Sequence, residues 1–201
     1  MTYPPEPWEL HGDLHLSLWS LPEVELPGVP LETPPVLIGD RGLVGTAWVR
    51  YGPGSVLEYD ELLVAVLVRD GAVPRVHISQ IWVDSPESLR GGRELWGIPK
   101  ESAEFRRRTG ARVTSCAAGG IASAGFSRLA RVPGRWPFAY RVAQDLHEFQ
   151  QSPVRGSAGL TWCSAVWRFD PDGPLAWLDG RRPVASAALT DFSMSFGAAS
   201  G

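Results

Sequence analysis

The chain has 201 residues, 44% hydrophobic and 20% charged, the balance of an ordinary globule long enough for one sizeable core. Its net charge of −3 supplies no basic footprint for nucleic acid or an anionic membrane surface. Two cysteines, Cys116 and Cys163, with no CxxC pair and no His/Cys cluster, make neither a disulfide framework nor a metal site, and no cofactor is expected.

The N-terminus, Met1-Thr2-Tyr3-Pro4-Pro5, lacks the basic region and apolar run of a signal peptide. No window approaches the ~18 uninterrupted apolar residues of a membrane span, so a cytoplasmic location is expected. Residues 1–9 read as a loose leading segment of a single domain, 1–201. Prolines punctuate the next stretch, and one alternating run, Leu14-His15-Leu16-Ser17-Leu18-Trp19, predicts a strand with Leu14, Leu16 and Leu18 inward. His11 and His15 would share its other side, with no third ligand for a metal.

Leu43 to Arg50 predicts a further strand. Leu62-Leu63-Val64-Ala65-Val66-Leu67-Val68 is too apolar for a half-exposed strand and belongs at a covered centre. Asp70-Gly71 marks a turn, and Val76 to Val83 the next strand. Asp84-Ser85-Pro86-Glu87 reads as a helix start, with Asp84 or Ser85 as N-cap and Pro86 in the first turn. Gly97 and Pro99 read as its stop. The helix then runs from Ser85 to Trp96 and contains Gly91-Gly92, which together cost about 2 kcal/mol relative to alanine. Such a helix calls for a close backbone approach there, or for a break.

Beyond it, Glu104 to Arg108 and Ala111 to Ala117 predict a hairpin around Thr109-Gly110. Gly119 to Leu129 is a small-residue strand, Pro137 to Phe149 is open between strand and short helix, and Ser157 to Phe169 is a long strand. Asp170-Pro171-Asp172-Gly173 is a turn, and Leu175 to Leu178 and Val184 to Phe196 complete the chain. Many short strands with Gly/Pro turns and one or two short helices predict an α+β fold that is mainly antiparallel β, a barrel or a sandwich.

One composition feature points to chemistry. Of 19 basic residues, Lys100 is the single lysine and the other 18 are arginines. Arginine does not give up its proton, whereas a buried lysine does, so Lys100 is a candidate reactive amine; a lysine on a solvated loop is the plain alternative. Ile98-Pro99 fixes where its backbone goes. Glu61 opens the buried strand, where an acid also serves simply to cap the strand or pair with an arginine.

Gly92-Arg93-Glu94-Leu95 followed by Pro99-Lys100, with Tyr59-Asp60-Glu61 upstream, resembles the signature of the acetoacetate decarboxylase family from about Trp8 to about Phe196. The resemblance implies a cone-like closed β-barrel with the substrate inside, a homo-oligomer, Lys100 as the Schiff-base lysine and Glu61 as the pocket glutamate. The substrate it implies is a small keto acid, undergoing decarboxylation or an aldol or dehydration step through the same imine. Trp82, Trp96 and Arg93 are placed at substrate. Two positions depart from the family pattern. Glu101 stands where the decarboxylase has a second lysine, and His11-Gly12-Asp13 lacks the arginine of the active-site mouth. A non-catalytic binding protein on the same scaffold is the alternative.

The chemistry sets a condition. At an ordinary pKa near 10.4 only about 0.04% of a lysine is neutral at pH 7. Burial lowers such a pKa by ~3–5 units, while an ionised carboxylate beside it opposes the shift. A lowered Lys100 pKa is therefore expected, with Glu101 pointing away and Glu61 protonated, distant or acting as a proton shuttle.

Overall fold

The structure, a computed structural model, describes residues 2–198. Among them are eleven strands and one α-helix: β1 (Trp8–Pro22), β2 (Leu37–Ile38), β3 (Arg41–Tyr51), β4 (Tyr59–Asp70), β5 (Val73–Val83), α1 (Pro86–Trp96), β6 (Lys100–Ser102), β7 (Phe105–Thr109), β8 (Val113–Ala118), β9 (Ala122–Gln144), β10 (Gln150–Phe169) and β11 (Ala185–Phe196). Short 3-10 turns lie at Glu23–Glu25 and Ala176–Leu178. All strands join one sheet in the order β6-β5-β4-β3-β1-β11-β10-β9-β8-β7, with β2 beside β3. Each pairing on that path is antiparallel except the parallel β5–β6. The sheet curls until β5 meets β9 through one parallel bridge, Val76–Val142. No helix among the described residues is long and apolar enough to cross a membrane.

The curl divides the apolar side chains into two cores. Residues alternate between the faces of a strand, and β4 feeds both. Leu62, Val64, Val66 and Val68 enter a core with Trp19, Trp48, Phe126 and Phe169. Tyr59 and Ala65 enter a second with Trp8, Ile81, Trp96 and Phe192, against which Leu63 packs. Where β4 steps from Val64 to Ala65, β5 carries one extra residue, Ser79, and β11 carries one extra residue opposite Gly12/Leu14 of β1 and opposite Ser157/Gly159 of β10. Such shifts bend a strand and increase its twist.

Three local expectations are revised or resolved. Along Leu14–Trp19 of β1 the deeply buried residues are His15, Ser17 and Trp19; Leu14, Leu16 and Leu18, expected inward, lie half-buried on the other face. Both faces of this strand are covered, so alternation alone does not identify the deeper one. Pro137 to Phe149, open between strand and helix, is strand as far as Gln144, where it forms the end of the longer β9 along β10. Residues 2–9 are fastened rather than loose. Trp8 is buried and its Nε1 donates to the Pro4 carbonyl, the Tyr3 hydroxyl donates to Glu94, and Glu6 accepts from Trp96 Nε1. Trp8 and Trp96 stack edge to face, 4.7 Å between ring centres.

Candidate active site

Helix α1 is built as its sequence prescribes. The Ser85 hydroxyl accepts from the Ser88 backbone N–H, Pro86 opens the first turn, and Gly97 ends the helix in the left-handed region at φ 62°. The Gly97 and Ile98 N–H groups return to the carbonyls of Arg93 and Gly92, satisfying the free carbonyls of the last turn. Lys100 thus starts β6 at a fixed point, aligned with Ile81 of β5.

The glycine pair has a physical purpose. A Cβ on Gly92 would lie 2.7 Å from both Cδ and Cε of Lys100, and one on Gly91 would lie 2.6 Å from the Trp8 ring. The lysine side chain crosses the helix backbone where no side chain stands. It ends against Ser88, four residues before Gly92 and so on the same helix face. Burial leaves Lys100 3% exposed.

All three ammonium hydrogens have acceptors: Glu61 Oε2 at 3.0 Å, Ser88 Oγ at 2.9 Å and the Tyr59 hydroxyl at 3.4 Å. The amine also stands over the Tyr59 ring, 5.1 Å from its centre. The other carboxylate oxygen of Glu61 accepts from the Tyr51 hydroxyl at 3.1 Å. Tyr59 and Glu61 share a face because they are two apart on β4, and Tyr51 pairs with Tyr59 across β3–β4.

Electrostatics follow from this geometry. Burial alone pushes the Lys100 amine down, but the Glu61 carboxylate and Tyr59 together outweigh it and hold the pKa above its ordinary value. The lowered amine expected from the sequence is therefore not the resting state, because Glu61 is neither distant nor turned away. Burial lifts the Tyr59 phenol to about 12 against the opposing pull of Lys100. Burial, followed by the Glu61 carboxylate, lifts Tyr51 well above 10. Both phenols remain donors at neutral pH.

These groups face a cavity of about 270 Å3 whose other walls are apolar. Trp96 is among the residues that line it. Trp82 does not: strand alternation turns Ile81 and Val83 toward this side and sends Trp82 to the opposite core, where its Nε1 donates to Glu101. Glu101, paired with Trp82 across β5–β6, points away from the amine as the chemistry requires. Arg93 is exposed and does not line the cavity; its Nε donates to the Lys100 backbone carbonyl at 2.7 Å, bracing the lysine from outside. At the His11-Gly12-Asp13 segment, Asp13 accepts from the Asp191 backbone N–H at the surface. Among the described residues, Lys100 is the only cationic side chain lining the cavity.

The family model described as acetoacetate decarboxylase matches residues 26–135. The chain belongs to the acetoacetate decarboxylase family. That match includes both Glu61 and Lys100. Among solved structures, the acetoacetate decarboxylase of Legionella pneumophila is similar over 98% of this chain and 87% of its own, with a TM-score of 0.74 and 15% identity. The enduracididine biosynthesis enzyme MppR, complexed with pyruvate, is similar over 96% and 89% with a TM-score of 0.70 and 13% identity. An acetoacetate decarboxylase-like enzyme from Sphingomonas wittichii is similar over 96% and 91% with a TM-score of 0.67 and 12% identity. At such identities the likeness speaks for the fold shared across the family. No curated protein sequence matches the chain.

Sequence reasoning missed Ser88, Tyr59 and Tyr51. The first two carried a signal: Ser88, Gly91 and Gly92 share one helix face, and Tyr59 and Glu61 share one strand face. Tyr51 carried none, since its nearness to Glu61 depends on β3–β4 register.

Proposed function

We propose that this protein is a Schiff-base-forming lyase that decarboxylates a keto acid through Lys100, with Glu61 carrying the proton. The observation that carries the reading is the lone amine, 3.0 Å from a buried carboxylate, in the wall of a largely apolar cavity.

The ammonium–carboxylate pair is not an obstacle to this chemistry. Moving the proton from Lys100 to Glu61 along their hydrogen bond leaves the pair's net charge unchanged. In water that transfer is uphill by about 8 kcal/mol, from ordinary pKa values near 10.4 and 4.3. Stripping water from the two ions costs several kcal/mol each and favours the neutral pair, while their mutual attraction outweighs it and holds the resting proton on Lys100, so the neutral pair is the minor, reacting form. The neutral amine then adds to the substrate ketone. Glu61 returns the proton to the carbinolamine oxygen, which leaves as water, and the imine is protonated. The bond to the carboxylate breaks, its electron pair enters the iminium to give an enamine, and carbon dioxide departs. Carbon takes up a proton, and water hydrolyses the new iminium to release a ketone and Lys100. One proton is consumed overall.

The absence of an arginine among the described cavity residues favours decarboxylation over aldol chemistry. A substrate carboxylate that persists through the reaction needs a cation, whereas one that leaves as carbon dioxide does not. The fold side of the proposal is that the curled sheet acts as a closed, cone-like barrel around this cavity. Exposed Trp162 and Val166 on β10 suit coverage in a cytoplasmic homo-oligomer, a point checked by light scattering of the purified chain.

Carbon dioxide release from a panel of β-keto acids tests the reaction. Turnover by the wild type, with none by a folded Lys100→Arg variant, is expected; equal turnover by both contradicts it. One observation favours the second reading, a binding protein: all three Lys100 hydrogens are already satisfied. That version predicts tight binding of a ketone with no carbon dioxide release and no covalent adduct.

A further inference from the structure

The cavity is much larger and drier than a four-carbon keto acid requires. Its volume of about 270 Å3 equals roughly nine waters at about 30 Å3 each. Its shape follows from strand register. Glu61 pairs with Val49, Val49 with Leu14, Leu14 with Leu189, and Leu189 with Leu160. All five line the cavity, so one lateral row of side chains leads from the carboxylate across five strands to the far wall. Strands lie about 4.8 Å apart, and after Glu61 each residue in the row is aliphatic. A second row, Leu10–Met194–Gly156–Phe138, crosses the same sheet. Gly156 makes room in it: a Cβ there would come within 2.7 Å of both Met194 and Phe138. Trp136 and Tyr140, which line the cavity and are 51% and 40% exposed, mark where it meets solvent.

We infer that the substrate is a β-keto acid whose ketone carbon bears a bulky apolar substituent, a medium-length alkyl chain or an aryl-alkyl group, lying along the Val49–Leu14–Leu189–Leu160 row. This rests on the Schiff-base reading of Lys100 and adds the substrate's other half. With the ketone at Lys100, a methyl substituent would leave the aliphatic row wet and unused. Each additional buried methylene is worth about fourfold in binding, and nothing polar along the row opposes it.

The test compares acetoacetate, 3-oxohexanoate, 3-oxooctanoate and 3-oxo-5-phenylpentanoate with the purified full chain. Carbon dioxide release and borohydride trapping are both read. The expected result is a kcat/KM that rises by about threefold to fourfold per added methylene until the cavity is full. The ratio of kcat/KM for 3-oxooctanoate over acetoacetate is then taken for variants at the end of the row, because a ratio does not depend on how much of a variant is folded. Leu160→Trp, which fills the far wall, lowers this ratio at least tenfold, and Leu160→Ala moves the optimum to a longer chain. A ratio near or below one in the wild type, with Lys100 still trapped by acetoacetate, overturns the inference and leaves the Schiff-base reading standing. Trapping by none of the four overturns both. An unchanged ratio in soluble Leu160→Trp places the substituent elsewhere and overturns the inference.

Discussion

On one side of β4, Leu62, Val64 and Val66 sink into a packed core; on the other, Tyr59, Glu61 and Leu63 look into a cavity. The filled core is an aromatic stack. Trp48 lies on Trp167 with ring centres 5.8 Å apart, Trp167 on Phe169 at 5.6 Å, and Trp19 meets both Trp167 and Phe169 edge-on. Its polar atoms are mostly tied to neighbours, Trp19 to Thr46 and Trp167 to Ser17. The cavity side has aromatic pairs at least as close, Tyr51 with Tyr59 and Trp96 with Phe196, each with ring centres 4.4 Å apart, but they border an open space that the one lysine of the chain also lines. A single apolar strand thus packs a core with one face and lines the cavity with the other.

The sharpest way to break the comparison is at the amine. Lys100→Met should abolish carbon dioxide release. It should also cost roughly 3–5 kcal/mol in urea unfolding at pH 7, since the buried Glu61 carboxylate loses its cation. Adding Glu61→Gln should recover most of the stability and none of the activity. In the filled core the reverse is expected. Trp48→Ala should cost about 3–5 kcal/mol by opening a void, whereas Leu189→Ala, whose side chain already borders empty space, should cost about 2 kcal/mol or less.

The two sides should also differ in pH response. His15 packs on Phe126 at 5.0 Å, and burial, then Arg107, lowers its pKa to about 4. A base with a lowered folded pKa binds its proton more readily when unfolded, so stability falls as pH drops through 6.5 toward 4, by roughly 3 kcal/mol. His15→Phe should flatten that acid limb. Lys100 has the opposite sign. Its raised folded pKa contributes stability that is fully present below the unfolded value near 10.4 and is lost as pH rises through the folded one. Thermal unfolding of wild type and Glu61→Gln between pH 8 and 12 checks this: wild type should lose stability only above about 10.4, whereas the variant, left with burial that lowers the amine, should instead gain stability as pH rises toward that value.

The smallest effect expected is also the most local. Gly92→Ala improves helix propensity by about 1 kcal/mol but displaces Lys100 through its Cδ and Cε. It should leave the melting temperature nearly unchanged and lower kcat by about 10- to 100-fold. Gly91→Ala meets the rigid Trp8 ring instead and should show its effect in stability.

What was legible in the sequence follows a physical line. Local rules found α1 almost to the residue, because Ser85 and Gly97 are its caps and Pro86 opens its first turn. Composition found Lys100, because the other cations are arginines. The Gly91-Gly92 penalty correctly signalled a close approach, although not of what. Trp82 was misplaced because strand alternation sets a residue's face only once the register is known, and Lys100 aligns with Ile81. Arg93 was misread because motif membership says nothing about whether a side chain or the backbone it holds meets the cavity. The raised Lys100 pKa was out of reach, since it depends on a contact between residues 39 positions apart.

The most direct test uses the lone lysine. Borohydride reduction with a β-keto acid, followed by intact mass and peptide mapping, should show one adduct, on the peptide containing Lys100, in wild type, with the rate of adduct formation and carbon dioxide release falling together in Glu61→Gln. Because Lys100 is the only lysine, the only competing amine is the chain's N-terminus. An unmodified Lys100 peptide under conditions where substrate is turned over would contradict the account.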